Sequence, residues 1–279
     1  MSGGLLRRAL GLRQAKIGLT LTGLVVVLAV AGALFGSAIT GYQPDDFSGK
    51  PFHANGMAGT DGVGRDVLTR FLEGGLELLG YGLAATAIGV LLGAVLGMLA
   101  GYTGGWLDGL IMRGSDVLLS IPQLVFALLA IAMIGPKGWL LILVIGITHA
   151  PRVARVARQA TVGVIGQDYI KAAQLYGMPR RRILVREVLP NITGPLMVEL
   201  GLRLTYSIGY VASLSFLGLG IQPPAADWGL MINENRIALV VQPWGVVLPV
   251  LAIAVLTVGT NLITDSLAAA AARRTTEES

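Results

Sequence analysis

The chain has no cysteine, which excludes disulfides, thiol nucleophiles and cysteine metal ligands. Its two histidines, His53 and His149, lie too far apart in sequence to form a ligand cluster, so no metal site is expected. Charge is scarce. Only 13% of the residues are charged, against about 25% in ordinary soluble domains. No G-x-x-x-x-G-K-[ST] run is present, so ATP is not expected to bind here through a phosphate loop. What fills the chain is apolar: 54% of the 279 residues are hydrophobic, mean hydropathy is +0.71, and 39 residues are glycine. This composition excludes a soluble domain and marks an all-α integral membrane protein, multi-pass, with the bilayer itself as a partner. The glycines suit closely packed membrane helices. The net charge of +5 reflects charged inner loops rather than nucleic-acid binding.

Long apolar runs predict six spans. Residues 1–16 are a basic cytoplasmic segment with Arg7, Arg8, Arg13 and Lys16, and 17–41 form the first span. That run is longer than the 7–15 residues of a secretory signal, so an uncleaved anchor is the favoured reading over a cleaved one. Residues 42–75 form an external loop, and 76–267 hold five further helices. These are expected at about 76–100, 117–134 with Pro122 kinking its start, 139–156, 192–217 and 244–267, followed by a cytoplasmic tail, 268–279. Residues 101–116 are expected as a short inner turn. Gly82, Gly89, Gly93 and Gly97 offer a packing seam on the second span. With both ends inside, inner segments hold fifteen Lys and Arg and outer segments five, the asymmetry that sets orientation.

Three stretches carry function. Residues 168–191, DYIKAAQLYGMPRRRILVREVLPN, read as helix, elbow, helix. Asp168 is placed as N-cap of a helix through Tyr176, Gly177 as its left-handed stop, Pro179 in the first turn of the next helix, and Pro190 as its end or kink. Ala172 and Ala173 make one face slim enough to enter a groove. Arg180, Arg181, Arg182 and Arg186 suit a protein partner or, equally, lipid headgroups. In the outer loop, GTDGVGRDVLTRF (59–71) reads as a turn leading into an interfacial helix with Val67, Leu68 and Phe71 on its apolar side. Third, Glu199 and Arg203 sit four apart in the fifth span, either functional or a structural pair. His149 reads as a packed residue rather than a proton relay.

The elbow resembles the coupling loop of ABC-importer permeases, EAA-x3-G-x9-I-x-L-P, at Ala172, Ala173, Gly177, Leu189 and Pro190. Lys171 stands where the family has Glu, and Glu187 where it has Ile. Gly59, Thr60, Asp61, Gly64, Arg65 and Asp66 are similar to the GTDxxGRD signature of the dipeptide, oligopeptide and nickel group. FLGLGIQPPAADWG (216–229), with Gln222, Pro223 and Trp228, resembles the same group's outer-vestibule run. NLITDSL (261–267) resembles its closing motif, with Thr264 in place of Gly. The resemblance implies a C-type permease of type I fold in a bacterial inner membrane, with residues 168–191 as coupling helix. It implies a second, B-type permease, two cytoplasmic ATPases holding ATP and Mg, and an extracytoplasmic solute-binding protein. This chain itself is expected to bind no cofactor and to be no enzyme. Peptides are the expected cargo, with nickel or another small solute as the alternative. A secondary transporter would instead depend on Glu199, with Glu77 and Asp265 nearer the span ends. An intramembrane enzyme lacks a constellation, since His149 has no partner at ligand spacing.

Overall fold

The structure is a computed structural model that describes residues 9–54 and 56–277, with side chains as far as Ala272. Arg7 and Arg8 of the expected N-terminal segment, the last two tail residues, and the side chains of Arg273 and Arg274 lie outside the described residues. In chain order the helices are α1 (Arg13–Thr40), α2 (Val67–Thr103), α3 (Gly105–Ser120), α4 (Gln123–Ile134) and α5 (Gly138–Ile165). Then come α6 (Asp168–Leu175), α7 (Arg180–Ile183), α8 (Leu189–Phe216), α9 (Trp228–Asn235) and α10 (Trp244–Glu277). A π-helical turn, Leu184–Val188, joins α7 to α8. Among the described residues the β content is two isolated bridges, Phe47 to Arg65 and Thr60 to Asp66.

The 37-residue α2 is the axis of the bundle. A Cβ at its Gly93 would lie 2.5 Å from the Val153 Cβ of α5, and one at Gly97 would lie 2.6 Å from the Ala157 Cβ. Gly89 meets the His149 Cβ at 2.7 Å in the same way. Any side chain there would push the two backbones apart, so the glycine row is what lets α2 and α5 run together. Gly82 leaves this row and faces Ile208 of α8 at an ordinary 3.4 Å. One apolar core, including Phe71, Leu78, Ile145, Ile208 and Trp228, fills the half of the bundle around the start of α2. A second core, including Met98, Val153, Ile170, Ile183 and Val188, lies under the elbow.

Four helices among the described residues are long and apolar enough to cross a bilayer: α1, α2, α5 and α10. The pair α3 and α4 makes a fifth if it is counted as one broken span, bent by 83°. α8 has the length, 28 residues, but Glu199, Arg203 and the run Thr205–Tyr206–Ser207 dilute its apolar character.

Three expectations are corrected here. Residues 101–116 are not a turn, because α3 occupies Gly105–Ser120. Pro122 does not merely kink a third span. It forces Ile121 into extended backbone (φ −92°, ψ 126°), and the helix breaks. The motif at 59–71 does not lead into a separate interfacial helix. Val67 and Phe71 are buried in the first turns of α2 itself, since Asp66 already caps that helix. At the other end, Thr264 faces Gly201. A Cβ on Gly201 would lie 3.1 Å from the Thr264 Cβ, so the larger residue at 264 is accommodated by the missing one at 201.

Candidate functional site

The elbow hangs from both long inner helices. α5 ends at Ile165, and the chain enters α6 through Gln167, whose extended backbone makes it the N-cap without a side-chain hydrogen bond. Asp168 is therefore not the cap. It is the first helical residue, where its charge still faces the positive helix end, and it accepts a hydrogen bond from Lys171 Nζ at 3.0 Å. Ile170 is fully buried and pegs α6 to the inner core with Ile183, Val188 and Ile192. Ala172 and Ala173 are half-buried, while Leu175 and Tyr176 are 88% and 89% exposed at the tip.

Gly177 adopts φ +72°. Its amide donates to the Gln174 carbonyl (3.0 Å) and the Met178 amide to the Ala173 carbonyl (3.1 Å), which is the Schellman closure of a helix end. Pro179 is not in the first turn of α7 but is its N-cap, one residue earlier, in extended backbone. Pro190 does not end the helix. It occupies the first turn of α8, directly after the π-helical turn Leu184–Val188. The wider turn removes the clash a proline ring makes with the carbonyl four residues back. So α7, the π turn and α8 follow one another with no break in helical backbone. Arg181 is exposed beside Arg180 and Arg182, and Leu189 packs against the inner core.

At the outer end, the 59–66 motif folds into a turn held by Asp61. One oxygen of its carboxylate accepts from the amides of Val63, Gly64 and Arg65, each at 2.9 Å. The other accepts from Arg65 Nε at 2.7 Å. Thr60 donates to the Lys50 carbonyl at 2.5 Å and accepts from the His53 amide at 2.8 Å. Asp66 accepts from the Thr69 amide (2.8 Å) and so caps α2. Gly59 (φ +72°) and Gly64 (φ +97°) have no room for a Cβ. At Gly59 it would overlap the Gln242 amide, which donates to the Ala58 carbonyl.

Glu234 of α9 closes this cap. Its Oε2 accepts from Arg65 Nη2 at 3.0 Å and from Arg70 Nη2 at 3.1 Å. Arg70 is wholly buried and also lies 3.7 Å from Asp61. Burial alone would lower the Arg65 pKa, but Asp61 and Glu234 together raise it above its ordinary value. Trp228, fully buried, stacks on Phe71 with ring centroids 5.6 Å apart and donates to the Phe71 carbonyl at 2.8 Å. Its neighbour Asp227 caps α9 by accepting from Leu230, and burial pushes its carboxyl up to about 6. Gln222 bonds within its own loop, to the carbonyls of Gly218 and Gly220, and Pro223 is exposed beside it.

Between the two ends, Arg203 Nε donates to Glu199 Oε2 at 3.1 Å, and both residues are buried. His149 is fully buried, with Nε2 3.1 Å from the Ser207 hydroxyl, which lies 2.9 Å from that of Thr86. It is packed, as expected.

Comparison with known proteins assigns this arrangement. Residues 89–277 match the model of the binding-protein-dependent transport system inner membrane component family. The chain belongs to that family. Its members are permease subunits of ABC importers, inner-membrane proteins with several membrane helices and no ATPase site of their own. Across 249 residues, 88% of this chain and 82% of the relative, it is 37% identical to the glutathione transport system permease protein GsiD of Escherichia coli O6:K15:H31 (strain 536 / UPEC). The GsiD proteins of Shigella boydii serotype 4 (strain Sb227) and Escherichia coli O157:H7 match to the same extent. The fold is that of the inward-facing MetNI methionine ABC transporter (TM-score 0.54, 18% identity, covering 71% of this chain and 96% of that chain). An amino acid ABC transporter solved with histidines aligns with TM-score 0.50 and 20% identity, over 73% of this chain and 94% of that one. Family membership implies ATPase, binding-protein and second-permease partners for the permease.

Within this family member, sequence reasoning missed three residues that organise the outer cap: Arg70, Glu234 and Gln242. Arg70 lay inside the quoted 59–71 stretch, and the other two follow the 216–229 run. Nothing in a single sequence joins positions 164 and 184 residues apart.

Proposed function

We propose that this permease is the C-type subunit of a peptide importer. It would form the translocation pore with a B-type permease, driven by two cytoplasmic ATPases that bind ATP and Mg and fed by an extracytoplasmic solute-binding protein. The elbow carries this reading. α6 is pegged by Ile170 between the end of α5 and helical backbone that continues as α8, so a force on its exposed tip moves two pore helices at once. Leu175, Tyr176 and the exposed Arg181 are the side chains such a partner would grip. Asp168, Ala172, Ala173, Gly177, Pro179, Leu189 and Pro190 give the grip its shape. The rigid cap around Gly59–Asp66 and Trp228 is the platform on which a binding protein would land. Six crossings with both ends cytoplasmic, taking α3 with α4 as one and α8 as another, agree with the fifteen-to-five charge asymmetry.

The curated relatives are named for glutathione, which supports a small peptide as cargo. The test is uptake of glutathione by proteoliposomes holding all subunits and the binding protein. ATP-dependent uptake that survives collapse of the proton and sodium gradients is expected. Uptake that dies with the gradients and ignores ATP would overturn the reading in favour of a secondary transporter.

A further inference from the structure

α8 and α10 touch halfway along α8 and part beyond it. Gly201 meets Thr264, and one turn on the buried Thr205 hydroxyl donates to that of Thr260 at 3.0 Å. A further turn along, a Cβ on Gly209 would meet nothing within 4 Å. From there an apolar cavity of about 480 Å³ runs to the end of α8. Gly209, Ser213 and Phe216 line it from α8, Val250 and Ile253 from α10, and Ile232 from α9. Its size falls within the range of ligand sites, about 300–1,000 Å³. Gly209 lies about 10 Å of helix rise below Phe216, and Val250 and Ile253 lie about 9 and 14 Å below Trp244, where α10 starts. One leaflet, half of a hydrocarbon core roughly 30 Å thick, spans that depth.

A cation sits at the rim. Arg236 follows the lining residue Ile232 by four positions, and its Cζ lies 5.7 Å from the centre of the Phe216 ring. Arg236 is exposed and has no ion-pair partner among the described residues. Just after it, Ile237 and Val240 are 82% and 97% exposed, and Trp244 is half-exposed. An apolar turn beside a tryptophan at the start of a span suits the membrane interface. So a free guanidinium at headgroup level and an apolar wedge beneath it meet at one side chain, Phe216.

We propose that this wedge binds a phospholipid of the adjoining leaflet. One acyl chain lies between α8 and α10, and the headgroup phosphate pairs with Arg236. A guanidinium matches a phosphate in charge and in hydrogen-bond geometry. Ser213 supplies the one polar side chain of the lining, so a hydrocarbon chain fits there, whereas a peptide would leave its amides unpaired. Such a site needs only that α8 and α10 cross the bilayer side by side, whatever the cargo.

The probes are phosphatidylglycerol and diacylglycerol with identical acyl chains, each carrying a mid-chain diazirine. They are added in trace to vesicles of phosphatidylethanolamine and phosphatidylglycerol that hold the complete importer. After illumination, mass spectrometry maps the adducts. Labelling is counted against α1, whose exposed face carries Leu24, Val27 and Leu34. On that scale the phosphatidylglycerol probe is expected to label the wedge residues about tenfold more than the diacylglycerol probe. Arg236→Gln should remove that excess and Arg236→Lys should keep most of it. Ser213→Phe, which fills the wedge, should abolish wedge labelling by both probes. Wedge labelling no stronger than that of α1 would mean annular lipid only, and the site falls. No wedge adduct in the complete importer would mean that protein, such as the second permease, covers it, and the site falls again. An excess that survives Arg236→Gln would overturn the role of Arg236.

Discussion

Gly59 and Gly177 share a backbone φ of +72° and differ in what surrounds them. A Cβ at Gly59 would overlap Gln242 and press on the His53 carbonyl at 2.8 Å, whereas at Gly177 there is nothing within 4 Å. The outer cap is thus a packed object, with buried charges matched in pairs and backbone amides gathered by one carboxylate. The inner elbow is an exposed shape with few pegs. One end of the permease is closely packed, and on the reading proposed above the other is held by something outside the chain.

Substitutions can break this contrast, and the largest effect is expected at Gly59. Gly59→Val adds overlap to backbone strain, on the order of 5 kcal/mol, and should prevent accumulation in the membrane. Quantitative blotting of membrane fractions checks it. Glu234→Ala strips one carboxylate partner from two buried arginines at once. It should cost about 3–5 kcal/mol, seen as a lower unfolding temperature of the detergent-solubilised protein.

Asp227 sharpens the picture through pH. Its folded pKa, about 6, is raised above the ordinary 3.8, so the folded state holds a proton the unfolded state has released. That stability is fully present below about pH 4 and is lost as pH rises through 6. Asp227→Asn keeps an oxygen to cap α9 and should flatten the slope, as thermal unfolding across that window would register.

Gly177→Val meets no neighbour, so it carries only the left-handed strain, about 1–2 kcal/mol. Membrane levels should stay near wild type while ATP-driven uptake collapses. Smallest of all is Lys171→Ala, whose partner Asp168 has a fully exposed side chain. The pair is worth about 0–1 kcal/mol, and both stability and uptake should be nearly unchanged.

The sequence made the elbow legible because glycine and proline act locally. Gly177 stops α6 through its own φ, and no distant residue is needed. Pro190 misled for the same reason. Its local rule, to end a helix, was overridden by a π turn that no propensity announces. The Ile121–Pro122 break was underestimated, since a residue ahead of proline leaves the helix but the angle of departure is set by packing. Apolar runs revealed most spans, and their ends moved wherever a cap such as Asp66 lay farther out than the hydropathy did. The Glu234–Arg70–Asp61 cluster was illegible because its members meet only after α2 and α9 pack.

The absence of native cysteine allows one direct test of the elbow as the handle of the machine. Leu175→Cys places a single thiol at the tip of α6, ready for a short thiol-to-amine cross-linker in the assembled complex. The account predicts an adduct with an ATPase subunit. A complex that stays assembled and active yet forms no such adduct would contradict it.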